Sequence, residues 1–384
     1  MTTIFVQPST WQRLRHVLLR FDPTLLVAMS LLAVIGLLAM YSAGHDHGTR
    51  FVDHGRNMLV ALAVTFAVAH VPPHKMERMA APLYGIGLAL LVAVALFGLT
   101  RKGATRWLNV GIVIQPSEIM KIAMPLMLAW WFQKREGQLR AGDFVVAAAL
   151  LALPLALVVR QPDLGTALLI LAGGLYVIFF AGLSWRIVLP VVLLAGAAVA
   201  TLVIFQDRLC DGGMRWPLLR EYQQHRVCTL LDPARDPLGK GFHILQGMIA
   251  IGSGGFTGKG FMQGTQTHLE FIPERTTDFI FAAFCEEFGF FGVAVLLMAF
   301  TLLILRGLAI AADAPNVFSR LLAGAVTMGI FTYAFVNMGM VSGILPVVGV
   351  PLPFVSYGGT AMVTLGLGLG ILMSVARSRQ LMRS

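Results

Sequence analysis

Long, nearly uncharged apolar segments recur along the whole chain and restrict its fold more than any other feature. A helix that spans a membrane needs about 20 predominantly apolar residues. Ten segments approach that length: 24–42, 57–71, 82–100, 116–132, 143–159, 163–182, 186–205, 277–305, 318–341 and 356–376. We therefore predict an all-α integral membrane protein with about ten transmembrane helices, folded as a single membrane domain over residues 1–384.

The composition indicates the same environment. Hydrophobic residues make up 57% of the chain and charged residues 12%, against about 45–50% and about 25% in soluble proteins. Too little charge is left to solvate the outside of a globule, which argues against a water-soluble enzyme. The net charge of +10 favours anionic membrane lipids or a phosphate-bearing substrate. No basic run interleaved with aromatic residues indicates a nucleic-acid partner.

Lysine and arginine residues in the short loops predict the orientation, because cytoplasmic loops retain positive charge during insertion. With the N-terminus inside, most basic residues of the short loops fall on the cytoplasmic side, so we expect both termini there. Residues 206–276 then form one large extracytoplasmic loop between the seventh and eighth helices. Its many apolar residues, with helical spacing over 240–251, predict a partly helical loop. Cys210 and Cys228 lie in it and would pair in an oxidising compartment.

Ionisable residues at membrane depth are costly and therefore mark candidate functional sites. Glu118 and Lys121 are three residues apart on one face of the fourth predicted helix. They form either a structural ion pair or the polar lining of a cavity open to the outer leaflet. Asp163 stands in a polar break between two helices, where capping alone explains it. Glu286 and Glu287 need partners if they face the bundle, and Lys121 is one partner that the sequence offers.

Asp278 stands where the outer loop meets the eighth predicted helix. We expect Thr276 or Thr277 to cap that helix, which leaves Asp278 in its first turn, where the helix dipole favours an ionised carboxylate. Such a group can accept a proton from a sugar hydroxyl or hold a divalent cation, and Arg275 can contact phosphate oxygens. The alternative is an ordinary acidic residue at a helix start.

A glycine-rich run at residues 252–260 lacks the residue spacing of a Walker A nucleotide loop. Its backbone N–H groups, with Lys240 and Lys259 nearby, could still cradle a lipid diphosphate. A flexible turn between amphipathic helices explains the run equally well.

Six motifs in order give the chain a family resemblance. They are residues 102–108 (KGATRWL), 115–121 (QPSEIMK), 160–166 (RQPDLGT), 252–255 (GSGG), 271–281 (FIPERTTDFIF) and 353–360 (PFVSYGGT). With them the chain closely resembles the SEDS proteins (shape, elongation, division and sporulation). Gly264, Thr265 and Gln266 favour the elongation branch over the division branch. Thr276 departs from the histidine expected before the Thr-Asp pair.

The resemblance implies a peptidoglycan glycosyltransferase of the cytoplasmic (inner) membrane. Such an enzyme polymerises lipid II into β-1,4 glycan strands at the outer face during cell elongation, with undecaprenyl diphosphate as the leaving group. The resemblance also implies Asp278 as the catalytic residue, Glu118 and Lys121 as a polar pair in a central cavity, and Trp107 in the first outer-loop motif. The implied partners are a class B penicillin-binding protein, which is a transpeptidase, and other elongation-complex proteins.

We therefore predict that Asp278 acts as general base on the acceptor sugar hydroxyl. Lys121, Arg106, Arg275 or a bound divalent cation such as Mg²⁺ or Mn²⁺ would neutralise the leaving diphosphate, and the sequence does not choose among them. The candidate substrate-binding or cavity residues are Glu118, Lys121, Arg106, Trp107, Asp163, Arg275 and Lys259. A lipid II flippase, which would use the same polar pair, and a non-catalytic scaffold of the wall-synthesis complex remain as alternatives.

Overall fold

A computed structural model describes residues 21–45, 48–101, 104–109, 111, 113–211, 221–233, 236, 239–269, 271–272 and 274–383. Within these residues the chain folds into 14 helices and one small sheet. The prediction of a helical membrane protein is therefore confirmed. Each of the predicted apolar segments coincides with a helix. Seven described helices are long and apolar enough to cross a membrane, and the count of ten spans stays a prediction. The predicted cytoplasmic N-terminus lies outside the described residues.

The elements follow one another in this order: α1 (Pro23–Ala43), α2 (Arg50–Ala69), α3 (Pro73–Phe97), β1 (Leu99–Arg101), β2 (Ala104–Asn109), β3 (Val113–Ile114), α4 (Pro116–Lys134), α5 (Ala141–Arg160), α6 (Leu164–Phe180), α7 (Trp185–Ile204), α8 (Gln206–Asp211), α9 (Glu221–Leu231), α10 (Lys240–Gly254), α11 (Thr265–His268), α12 (Ile280–Ala312), α13 (Val317–Val341) and α14 (Gly359–Arg383). The spanning candidates are α1, α3, α5, α7, α12, α13 and α14.

Local sequence fixes several helix starts. Asp22 caps α1 by accepting a hydrogen bond from the Leu25 N–H at 3.1 Å, and a proline follows at the first helical position, which needs no N–H partner. The Asp22 carboxylate also accepts hydrogen bonds from Arg306 of α12, the shortest at 2.6 Å. Because one carboxylate serves both groups, the cap of α1 ties the first helix to the long helix α12.

A three-stranded antiparallel sheet, β1–β2–β3, connects α3 to α4 and was not predicted from the sequence. The predicted third span, 82–100, runs into this sheet, whereas the helix ends at Phe97. Gly98 is extended, and a strand begins at Leu99. Strand β2 carries Arg106 and Trp107, so the sheet determines where two candidate residues lie.

The long loop between α7 and α12 is partly helical, as predicted. Its described residues form α8, α9, α10 and α11, and α10 covers the stretch whose spacing indicated a helix. A disulfide joins Cys210 of α8 to Cys228 of α9. This covalent link ties α9 to the end of α7, the helix that precedes α8 in the chain.

Close packing of helices surrounds the centre of the bundle. Most of α13 and α14 is buried, whereas α7 buries no side chain. A Cβ atom at Gly366 of α14 would lie 2.5 Å from the Ala61 carbonyl oxygen of α2, and one at Gly370 would lie 2.9 Å from the Thr65 carbonyl oxygen. Glycines at this spacing let two helix backbones approach each other directly.

Candidate functional site

A cavity of about 560 Å³ lies where β2, helices α9 and α10 and the start of α12 meet, and this volume is within the usual range of ligand sites. It brings together Asp278, Arg106 and Trp107, which the sequence predicted as functional. The remaining lining residues are Arg226, His243, Glu274, Phe279, Val347, Val348 and Gly349. We call this space the Asp278 cavity.

Asp278 lies in a turn and not in a helix, so the prediction that Thr276 or Thr277 caps the helix is wrong. Helix α12 begins at Ile280 with Phe279 at its N-cap, and no side chain caps it. The threonines do not cap because their hydroxyl groups take part in hydrogen bonds within the turn and with α2 instead. The carboxylate of Asp278 is consequently placed by the turn and by the segment that faces it.

That facing segment approaches the carboxylate closely at Gly349. A Cβ atom built on Gly349 would lie 3.3 Å from Asp278 Oδ2, and the backbone φ of Gly349 is +72°. A side chain at this position would be strained by the left-handed backbone and crowded by the carboxylate. Glycine therefore allows the segment between α13 and α14 to form one wall of the cavity beside Asp278.

Two arginines line the same cavity. Arg106 Nη2 donates to the Pro162 carbonyl at 3.2 Å, and Arg226 Nη1 donates to the Val347 carbonyl at 3.1 Å. Arg226, on α9, was not singled out from the sequence, because it is one of eight basic residues in a loop whose folding decides their positions. Two guanidinium groups beside a carboxylate are suited to a substrate that carries a diphosphate and a reacting hydroxyl.

Asp163 caps helix α6, as its position in the polar break predicted. Its Oδ1 accepts from the Thr166 N–H at 3.2 Å at the start of α6. Its other oxygen accepts from Gln115 Nε2 at 3.0 Å, and Arg106 Nη1 lies 3.7 Å from Oδ1. The side chain is buried. Asp163 thus reaches the Asp278 cavity through Arg106, whose guanidinium it helps to place.

Glu118 and Lys121 form the predicted ion pair, with 2.6 Å between Glu118 Oε1 and Lys121 Nζ. Lys121 Nζ also donates to the Tyr333 hydroxyl at 2.7 Å, and Thr364 Oγ1 donates to Glu118 Oε2 at 3.0 Å. The pair therefore joins α4 to α13 and α14. Lys121 and Tyr333 line a second, smaller cavity of about 70 Å³ within the bundle. The structural ion pair is thus observed, and a polar cavity open to the outer leaflet stays a prediction.

Two other predicted cations contact partners away from the Asp278 cavity. Lys259 Nζ lies 2.7 Å from both Glu286 Oε1 and Thr265 Oγ1. Arg275 is buried and donates to the Thr267 carbonyl. The structure places neither cation in the lining of the Asp278 cavity.

Glu286 and Glu287 have partners other than the predicted Lys121. The fully buried carboxylate of Glu286 accepts from Lys259 Nζ and, at 2.9 Å, from the backbone N–H of Gln266. Glu287 accepts from Ser42 Oγ of α1. Both carboxylates therefore join α12 to the elements around it, and Lys121 pairs with a residue of its own helix.

The glycine-rich run packs its backbone against a kink in α12. The N–H groups of Lys259 and Gly260 each donate at 3.0 Å, to the carbonyls of Glu286 and Glu287 respectively. A Cβ atom at Gly258 would lie 2.0 Å from the Glu287 carbonyl oxygen. Since these N–H groups already have partners, the structure favours a close-packed turn over a diphosphate cradle.

Among the described residues, no group of three or more His, Cys, Asp or Glu side chains is arranged to hold a metal ion. Phosphate oxygens and water provide many of the ligands at Mg²⁺ sites, so the divalent cation of the sequence analysis stays a prediction.

Comparison with known proteins decides the family. A family model described as "Cell cycle protein", covering FtsW, RodA and SpoVE, matches residues 17–381. The chain belongs to this family. It is 47% identical to the peptidoglycan glycosyltransferase MrdB of Escherichia coli K12 over 94% of this chain and 95% of that protein. It is 31% identical to the peptidoglycan glycosyltransferase RodA of Treponema pallidum over 94% and 98%.

Solved structures agree with this assignment of the FtsW/RodA/SpoVE family. One chain belongs to a structure described as the structural coordination of polymerization and crosslinking by a peptidoglycan synthase complex. That chain is 33% identical, with a TM-score of 0.75 over 94% of this chain and 98% of that one. The crystal structure of RodA from Thermus thermophilus is 27% identical, with a TM-score of 0.67 over 94% and 97%. The resemblance to SEDS proteins is thereby confirmed.

Proposed function

We propose that this family member is a peptidoglycan glycosyltransferase that polymerises lipid II into β-1,4 glycan strands during cell elongation. Relatives with this named activity share nearly the whole chain. The observation that carries the proposal is the shared lining of one cavity by the Asp278 carboxylate and the guanidinium groups of Arg106 and Arg226. A general base activates the attacking hydroxyl, and cations stabilise the charge that develops on the leaving diphosphate.

Asp278 is the general base of the proposed reaction. It takes the proton from the 4-hydroxyl of the acceptor GlcNAc, and that oxygen attacks the anomeric carbon of the donor MurNAc. The bond from this carbon to the diphosphate oxygen breaks, and undecaprenyl diphosphate leaves with the bonding electrons. Attack from the opposite face converts an α-linked diphosphate into a β-1,4 glycosidic bond. A positioned base contributes about 10² to 10⁴ in rate.

Arg106 and Arg226 are our choice for the groups that neutralise the leaving diphosphate. Both line the Asp278 cavity, whereas Lys121 and Arg275 are not part of its lining. Guanidinium groups bind phosphate oxygens through paired N–H donors, and donors placed at a developing charge lower the barrier to its formation. A divalent cation bound to the diphosphate would act in the same direction.

The proposed reaction takes place at the outer face of the cytoplasmic membrane, with both termini in the cytoplasm. The Cys210–Cys228 disulfide supports an extracytoplasmic position for the loop, because disulfides persist in oxidising compartments. The proposed partner is a class B penicillin-binding protein, within the wider elongation complex. A related chain is part of a synthase complex that coordinates polymerization with crosslinking, which supports a transpeptidase partner.

One experiment separates the enzyme from the flippase and the scaffold. Purified protein and a transpeptidase-inactive partner are mixed with lipid II in detergent, and glycan strands are resolved on a gel. Detergent leaves no bilayer to cross, so a flippase or a scaffold gives no strands. Strands that depend on this chain support the proposal. Their absence, when a known polymerase makes strands under the same conditions, contradicts it.

A further inference from the structure

Backbone carbonyls hold the turn that carries Asp278. The Thr276 carbonyl accepts from the N–H of Tyr357 at 2.8 Å, and the Thr277 carbonyl accepts from Ser356 Oγ at 2.7 Å. Both donors belong to the segment between α13 and α14, which we call the connector. The turn is therefore fixed to the connector along its backbone.

The next carbonyl, that of Asp278 itself, is held by a side chain of α13. Asn337 Nδ2 donates to the Asp278 carbonyl at 3.0 Å and to the Val350 carbonyl of the connector at 2.7 Å. One amide nitrogen thus uses both of its hydrogens to join the turn to the connector. Val350 follows Gly349, the residue that approaches the Asp278 carboxylate, so this bridge lies where the cavity wall meets Asp278.

The Oδ1 atom of Asn337 indicates that this side chain does more than stabilise the fold. Asn337 is fully buried, and in the described part of the chain its Oδ1 atom has no hydrogen-bond partner. A buried carbonyl oxygen without a partner costs free energy that an apolar side chain would avoid. What an apolar side chain lacks is the pair of N–H donors that Asn337 directs to Asp278 and Val350.

We propose that Asn337 is a positioning residue, which sets the direction of the Asp278 carboxylate by fixing its backbone against the connector. This inference rests on the function proposed above. A general base must lie within hydrogen-bond reach of the proton that it removes, and displacement of a reacting group by about 1 Å can cost about 10² in rate. Loss of the bridge should therefore lower kcat and leave substrate binding nearly unchanged.

The test compares Asn337→Leu, which keeps a branched side chain without donors, with Thr332→Val on the same helix. Thr332 Oγ1 lies 2.8 Å from the Tyr176 hydroxyl and bonds to the Met328 carbonyl, so its replacement removes buried hydrogen bonds away from the turn. Rates are measured with lipid II and the partner and divided by the folded fraction from thermal unfolding. Hydrogen exchange of the Thr277 and Phe279 amides, which bond to the Glu274 carbonyl, reports the order of the turn.

We expect Asn337→Leu to lower kcat by about 10- to 100-fold, with KM within about twofold and faster exchange in the turn. Thr332→Val should change none of these. Parental kcat in folded Asn337→Leu protein, or unchanged exchange in the turn, would overturn the inference. If Asn337→Leu does not fold, Asn337→Ala is tested in its place, and the same changes in kcat, KM and hydrogen exchange are expected. If the parental protein makes no glycan, the proposed function fails, and the exchange measurement still decides whether Asn337 orders the turn.

Discussion

Lys121 Nζ lies 2.6 Å from Glu118 Oε1, and the two charges neutralise each other where α4 meets α13 and α14. Replacement of one partner leaves the other charge without its counterion in the bundle, at a cost of about 3 to 5 kcal/mol. We therefore expect Glu118→Ala and Lys121→Ala each to lower the thermal unfolding midpoint in detergent strongly.

The double variant provides the control for that prediction. Because it removes both charges, Glu118→Ala with Lys121→Ala should unfold at a higher temperature than either single variant. If the unfolding midpoint of the double variant falls by the sum of the two single-variant decreases, the charges are not coupled.

Arg226 offers the sharpest test of how the leaving diphosphate is neutralised. Arg226→Ala should lower kcat with lipid II by about 10²-fold, the usual effect of removing one donor that stabilises a developing charge. Arg208→Ala is the matched control, because Arg208 is an exposed cation of the same loop, on α8, outside the cavity lining. Equal rates for the two variants, each measured per folded molecule, would remove Arg226 from the mechanism.

The Cys210–Cys228 disulfide joins α8 to α9 across a sequence separation of 18 residues. Closure of a loop of this length stabilises the folded loop by about 3 kcal/mol in the chain-entropy account. The double serine variant should therefore show faster hydrogen exchange over Glu221–Leu231. Because α9 carries Arg226, kcat with lipid II should also fall.

Cys285, which is buried and unpaired, supplies the control for the disulfide variant. Cys285→Ala removes a thiol without opening the loop, so exchange in α9 should stay at the parental rate. Unchanged exchange in the variant without the disulfide would mean that packing alone holds α9 in place.

The sequence predicted those features that depend on local spacing. Long apolar runs gave the helices, because the bilayer sets the length of a span. The spacing of Glu118 and Lys121 gave their ion pair, because residues three apart in a helix share a face. Asp163 was likewise predicted as a cap from its place in a polar break, and the structure shows that cap.

Contacts between distant segments were beyond such reasoning. Arg226 reaches the cavity only through the folding of the loop between α7 and α12, and no local pattern separates it from the other cations of that loop. The turn at Asp278 was mistaken for a helix start because Thr276 and Thr277 are good capping residues. The Thr276 hydroxyl instead accepts from Arg50, which the tertiary structure brings from a distant helix, and the Thr277 hydroxyl donates to Glu274 within the turn.

The most direct test of the account is the rate at which Asp278→Asn protein polymerises lipid II, with its partner present and the folded fraction known. Asparagine keeps the size of the side chain and removes the base, so the rate should fall by about 10² to 10⁴ while the unfolding midpoint stays near the parental value. Asp143→Asn, which changes a carboxylate at the start of α5, should keep the parental rate. Polymerisation by folded Asp278→Asn protein at the parental rate would contradict the assignment of Asp278 as the general base.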